Sequence, residues 1–148
     1  MQVFQAMTPD VMCVPPDATL MEAACLMRSL DVGPLPVCEG DRLLGMVTDR
    51  DITVRATAEG CDPRATQVSD VMTTKVVCCR ESDDVRKAAR LMQTAQLRRL
   101  LVVNDAGRLV GIVSLGDLAL QTGDEKLAGE TLERVSEPTE TDPQPLAR

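Results

Sequence analysis

An internal duplication constrains the fold of this chain more than any other feature of its sequence. Displaced by 65 positions, the sequence matches itself: Gln2-Val3 falls on Gln67-Val68, Met7-Thr8 on Met72-Thr73, Val11 on Val76 and Cys13 on Cys78. Ala23-Ala24 then meets Ala88-Ala89, Leu26-Met27 meets Leu91-Met92, and Leu35 and Val37 meet Leu100 and Val102. One extra residue enters the second copy near Asp105, after which Arg42-Leu43, Gly45, Val47 and Asp51 fall on Arg108-Leu109, Gly111, Val113 and Asp117.

Each copy carries the same local signals. A short β run opens it (Val11–Val14; Lys75–Cys79). Apolar residues at helical spacing follow, Leu20, Ala23, Ala24 and Met27 in the first copy and Val85, Ala88, Ala89 and Met92 in the second. Thr19 with Glu22 forms a capping box, and Asp83 or Asp84 caps the second helix. Two strands come next, Leu35–Cys38 with Leu43–Val47 and Leu100–Val103 with Leu109–Val113, each pair joined by a turn rich in Gly, Asp or Asn. A last helix begins at Thr48 or Ser114, and the first of these ends near Gly60. A βαββα unit of about 50 residues buries too little apolar surface to stand alone. The expected fold is therefore α+β, with two such repeats packed face to face about a pseudo-two-fold axis. The expected organisation is repeat one at 1–60, a linker at 61–66, repeat two at 67–122 and an acidic, Pro-containing tail at 123–148. That tail is expected to be disordered, Glu137–Arg148 above all, with a weak helical turn or two at Glu125–Val135.

Composition narrows the function. With one aromatic residue, Phe4, the core must be aliphatic. No apolar run of about 18 residues exists and the N-terminus lacks a signal-peptide layout, so a cytoplasmic protein is expected. The net charge of −7 argues against nucleic acid. That charge is uneven, −5 over 1–66, +2 over 67–118 and −4 over 119–148, so only the middle segment attracts anions overall. The six cysteines form no C-x-x-C pair and there is no His to complete a zinc site. Cys13, Cys25, Cys38 and Cys78 lie in apolar periodic segments and read as structural thiols, whereas Cys61 lies in a loop and reads as the most reactive. There is no nucleophile elbow, no Walker A pattern and no unexplained carboxylate cluster, which argues against an enzyme.

Thr48-x-x-Asp51 and its twin Ser114-x-x-Asp117 each sit at a strand-to-helix junction. Such a junction offers free amide hydrogens and a hydroxyl to a phosphate, and a carboxylate to a ribose diol. The same spacing is also an ordinary helix cap, and spacing alone leaves both readings open.

The segments Asp31-Val-Gly-Pro-Leu-Pro-Val37 and Gly45-Met-Val-Thr-Asp-Arg-Asp-Ile52, with Gln67-Val-Ser-Asp-Val-Met-Thr73 and Gly111-Ile-Val-Ser-Leu-Gly-Asp-Leu118, resemble the signature stretches of bacterial cystathionine-β-synthase (CBS) domains. The resemblance covers residues 2–121 and implies a stand-alone CBS pair. Such a pair is a regulatory module that binds AMP, ADP, ATP, S-adenosylmethionine or a related adenosyl ligand and requires no cofactor. It further implies a homodimer that acts on an unnamed protein partner. Carried over residue by residue, it places a base pocket at Thr73, Cys78 and Ile112 in copy two and at Thr8, Cys13 and Met46 in copy one. Ser114 with Asp117, and Thr48 with Asp51, take the phosphate and ribose. Arg98 and Arg99 precede the central strand of copy two where related domains keep phosphate-binding cations, whereas copy one has Gly33-Pro34. The expectation is that the Ser114/Asp117 site holds phosphate more tightly, with Arg50 reaching in from the other copy. A ligand-free dimerisation scaffold and a thiol or metal sensor on the same frame are the alternatives.

Overall fold

The computed structural model describes residues 1–138. The first copy contains α1 (Val3–Ala6), β1 (Thr8–Pro9), α2 (Leu20–Leu30), β2 (Pro34–Glu39), β3 (Arg42–Thr48) and α3 (Asp49–Asp51), which continues as a π-helical segment, Ile52–Thr57. A 3₁₀ turn at Val68–Asp70 opens the second copy, followed by β4 (Cys78–Arg80), α4 (Val85–Ala95), β5 (Arg99–Val103), β6 (Leu109–Ser114) and α5 (Leu115–Thr122). A further helix, α6 (Glu125–Ser136), follows.

The helices start where their caps dictate. The Thr19 hydroxyl accepts from Glu22 N–H (3.1 Å) and the Glu22 carboxylate accepts from Thr19 N–H (3.2 Å). Asp84 caps α4. The hairpins lie in the expected register, β2 with β3 and β5 with β6, both antiparallel. Gly40 and Gly107 take positive φ in their connecting turns. The opening strand of copy one is shorter than its apolar run suggests: only Val14 bridges β2, opposite Val37, because Pro15-Pro16 follows at once and cannot donate to a ladder.

Two aliphatic cores form, and the copies exchange their first segments to complete them. Val3 and Ala6, from the start of copy one, are buried among α4, β5, β6 and α5 of copy two. Val68 and Val71, from the start of copy two, are buried with Leu20, Ala23, Leu35 and Val47 of copy one. Backbone hydrogen bonds fix the exchange, Val3 N–H to Asp83 O (2.8 Å) and Leu20 N–H to Thr66 O (3.0 Å). Consequently β1 joins the second copy's sheet, in the order β1-β6-β5-β4. Arg108 and Asp41, at the hairpin tips, join the copies through a two-pronged ion pair at 2.6 and 2.7 Å.

The tail expectation is corrected over 125–136, where α6 is a full three-turn helix rather than a weak turn or two in a disordered tail. Asp124 caps it, Leu127 and Val135 pack on the second core, and the fully buried Thr131 hydroxyl accepts from Gln93 Nε2 (3.0 Å) while donating to Leu127 O (2.7 Å). The expectation of disorder over 139–148 falls outside the described residues. Among the described residues no helix is long and apolar enough to cross a membrane.

Candidate functional site

The exchange of first segments decides which residues meet. Thr73 precedes the second copy's β4, yet its backbone is stitched to β3 of the first copy, Met46 N–H to Thr73 O (2.9 Å) and Thr73 N–H to Met46 O (2.8 Å). Two residues beyond Met46 lies Thr48, the cap of α3. Symmetrically, Thr8 pairs with Ile112 on β6, two residues before Ser114. A cavity at either crossing therefore draws its lining from both sequence copies.

One cavity of about 320 Å³ has that composition. Thr48, Asp51, Met46 and Pro34 line it from the first copy. Thr73, Lys75, Val76, Val77, Leu97, Arg98, Arg99, Leu101 and Ile112 line it from the second. Its volume falls in the range of small-molecule sites, roughly 300–1,000 Å³. One wall is aliphatic and suits a flat ring. Lys75, Arg98 and Arg99 supply three cations and Asp51 a carboxylate. Among the described residues none of those three cations forms an ion pair. They are exposed at the cavity rim, where an anion meets them partly solvated.

Both hydroxyl–acid pairs are reciprocal helix caps. Asp51 N–H donates to Thr48 Oγ1 and Thr48 N–H to Asp51 Oδ2, both 3.0 Å. Ser114 and Asp117 repeat the pattern at 3.0 and 2.8 Å. The cap therefore occupies one oxygen of each acid. The other oxygen of Asp51 has only Arg55 Nε at 3.8 Å, which leaves it lone pairs for a further donor.

Of the residues singled out in the sequence, Met46, Thr48, Asp51, Thr73, Arg98, Arg99 and Ile112 share this cavity. Cys78 is exposed on β4 and does not line it. Ser114 lines a wider cavity of about 650 Å³ with Arg98, Arg99 and residues of α6, and Asp117 lines neither. Arg50 is exposed and stays outside both. Thr8 is held in β1, and Cys13 faces a separate cavity with Cys38. The expected grouping of Arg98 and Arg99 with Ser114 is present in that wider cavity, without Asp117, and the same two arginines also line the cavity of Thr48 and Asp51. The crossing of Thr73 onto β3 brings the two copies together at the latter cavity. Lys75 and the aliphatic Val76, Val77, Leu97 and Leu101 were not anticipated. Lys75 is legible in the repeat itself, since it stands where copy one has Asp10, a reversal of charge.

The thiols also depart from their pattern. Cys25 and Cys78 are exposed, because each lies on the outward side of an otherwise amphipathic element. Burial pushes the Cys79 thiol up to about 12. Among the described residues no group of three or more His, Cys, Asp or Glu side chains is arranged to hold a metal ion.

Comparison with known proteins gives the family. The CBS domain profile matches residues 3–56 and 68–121. The CBS domain-containing protein YhcV of Bacillus subtilis is 45% identical over 134 residues, covering 90% of this chain and 94% of YhcV. Hypoxic response protein 1 of Mycobacterium tuberculosis is 37% identical over 114 residues, covering 76% and 79%. A crystal structure of Hypoxic Response Protein I with two coordinated zinc ions superimposes with a TM-score of 0.74 at 35% identity, covering 81% of this chain and 98% of that one. CBSX2 in complex with AMP superimposes with a TM-score of 0.70 at 29% identity, covering 84% and 98%. Two βαββα repeats with exchanged first segments and these relatives lead to one conclusion: the chain belongs to the CBS domain family.

Proposed function

We propose that the chain is a regulatory ligand sensor without catalytic activity, binding an adenosyl nucleotide in the cavity between its two repeats and acting in trans on a protein partner. The observation that carries this reading is the cavity in which Thr48 and Asp51 of one repeat face Thr73, Arg98, Arg99 and Ile112 of the other. The aliphatic wall takes the base, the free oxygen of Asp51 accepts from the ribose diol, and the three rim cations take phosphate by charge-assisted hydrogen bonds. The AMP bound by the structurally similar CBSX2 supports this ligand class. S-adenosylmethionine, a cation at its sulfonium, fits the rim less well than AMP or ATP.

The reading places the protein in the cytoplasm as a homodimer. Leu120 is 84% exposed and Val54 is 49% exposed, and they occupy equivalent positions on the last helices of the two repeats. Paired apolar residues of this kind suit a contact between copies. Sedimentation velocity should show a dimer at micromolar concentration, and a monomer there removes that part of the reading.

Isothermal titration of AMP into the wild type and into the double variant Arg98→Ala, Arg99→Ala tests the site. The double variant should bind at least about tenfold more weakly, roughly 1.4 kcal/mol. An identical isotherm, or no heat with any adenine nucleotide in the wild type, rejects the proposal in favour of a ligand-free scaffold.

A further inference from the structure

Cys13 and Cys38 line one cavity of about 380 Å³, apart from the nucleotide cavity, together with Asp10, Asp41 and Leu109. The segment bearing Cys13 is fixed to β2 by two backbone hydrogen bonds, Val14 N–H to Pro36 O and Cys38 N–H to Val14 O, both 3.0 Å. Val14 and Val37 form the parallel bridge and both face the core. Their neighbours Cys13 and Cys38 therefore share the opposite face, and both line the same cavity. The β-bulge between Val37 and Cys38 breaks the regular spacing of β2 at this point.

We infer that Cys13 and Cys38 are an oxidant-responsive dithiol that closes to an intramolecular disulfide, a modification site independent of nucleotide binding. The oxidant is a peroxide. The half-exposed Cys13 reacts first: its sulfur attacks one peroxide oxygen, the O–O bond breaks, and the departing hydroxide leaves as water, giving a sulfenic acid. Cys38 then gives up its proton, its sulfur attacks that of Cys13, the S–O bond breaks and a second water leaves. Two thiols have lost two protons and two electrons, and one hydrogen peroxide has become two waters.

The surroundings support this order. Burial first, then the Cys13 thiol and the Asp41 carboxylate, push the Cys38 thiol up to about 12. Cys38 is thus protonated and shielded from direct attack, while Cys13 is reachable from the cavity. The second repeat lacks the device on the same frame. Cys78 stands where copy one has Cys13, but the position of Cys38 is taken by Val103. The bond would close a loop containing all of α2 and fasten the segment before that helix to β2. It would do so beside Asp41, the residue that grips Arg108 of the other repeat.

Treatment with hydrogen peroxide, followed by alkylation, intact mass and peptide mapping, tests the inference. The wild type should lose two hydrogens and yield a Cys13–Cys38 cross-linked peptide, with a higher apparent melting temperature that reductant reverses. A variant with Cys25→Ser, Cys61→Ser and Cys78→Ser should behave the same way. Cys38→Val, which installs the residue of the second repeat and so keeps this buried position filled, should lose both the cross-link and the melting shift. Three results would overturn it: oxygen retained on Cys13 while Cys38 remains alkylatable in the unfolded chain, a cross-link between other cysteines or between chains, and an unchanged mass.

Discussion

The two repeats share a backbone plan and differ in what they hang on it. At the cavity the second repeat presents Lys75, Arg98 and Arg99 where the first has Asp10, Gly33 and Pro34. The first repeat offers the cavity-lining acid, Asp51, on a helix that runs one α-helical turn before widening into π geometry. The second repeat's acid, Asp117, begins an eight-residue α-helix against which α6 packs. The two copies offer equivalent frames, and at this cavity one copy supplies the cations and the other the acid. The exchange of first segments makes such a split workable, because a residue's cavity is set by the strand it pairs with and not by the copy that encodes it.

The exchange rests on two glycines, and substituting them should produce the largest effect. A Cβ on Gly45 would lie 2.6 Å from the Thr73 carbonyl oxygen, and one on Gly111 would lie 2.8 Å from the Thr8 carbonyl oxygen and 2.7 Å from the Met7 sulfur. Backbone must move in both cases, so each Gly→Ala change should destabilise by about 1–3 kcal/mol in urea unfolding. The two should part company in ligand binding. Gly45→Ala displaces Thr73, a cavity residue, and should weaken AMP binding, whereas Gly111→Ala displaces Thr8 and should leave it nearly unchanged. Equal loss of binding in both would mean that the two crossings serve one shared site, and the contrast drawn above would fail.

Much of the fold was legible because duplication lets each copy check the other. The hairpins at Leu35–Val47 and Leu100–Val113 combine apolar runs with Gly-bearing turns, and the helix starts at Thr19, Thr48 and Ser114 carry their caps in the local sequence. Three features were not legible. The inward stripe of α6 is Leu127, Thr131 and Val135, and its central member is polar, satisfied by Gln93 from α4 only in three dimensions. The π-helical segment after Asp51 depends on hydrogen bonds such as Ala58 N–H to Thr53 O (2.9 Å), which side-chain periodicity does not encode. The crossing of Thr73 onto β3 is a long-range pairing with no local signal, so the sequence alone does not bring Arg98 and Arg99 beside Thr48 and Asp51. Seven of the residues singled out in the sequence line one cavity, and their grouping there follows from the topology.

A smaller perturbation sharpens the contrast where it matters most. Asp51 and Asp117 make the same cap, each accepting from the N–H of the hydroxyl residue three positions earlier. Removing either carboxylate leaves one amide hydrogen without its partner at a part-buried helix start. Asp51→Ala and Asp117→Ala should therefore destabilise alike, by about 1 kcal/mol each. Binding should separate them. Only Asp51 lines the cavity with the cations, so Asp51→Ala should weaken AMP at least about tenfold, near 1.4 kcal/mol, while Asp117→Ala should change it less than about twofold. Matched stability with divergent affinity identifies Asp51 as a ligand contact beyond its capping role. If Asp117→Ala carries the larger loss instead, the ribose sits on the second repeat's own acid and the site follows sequence copy. A loss of stability without any loss of affinity in either variant reduces both acids to helix caps and leaves phosphate recognition to Lys75, Arg98 and Arg99 alone.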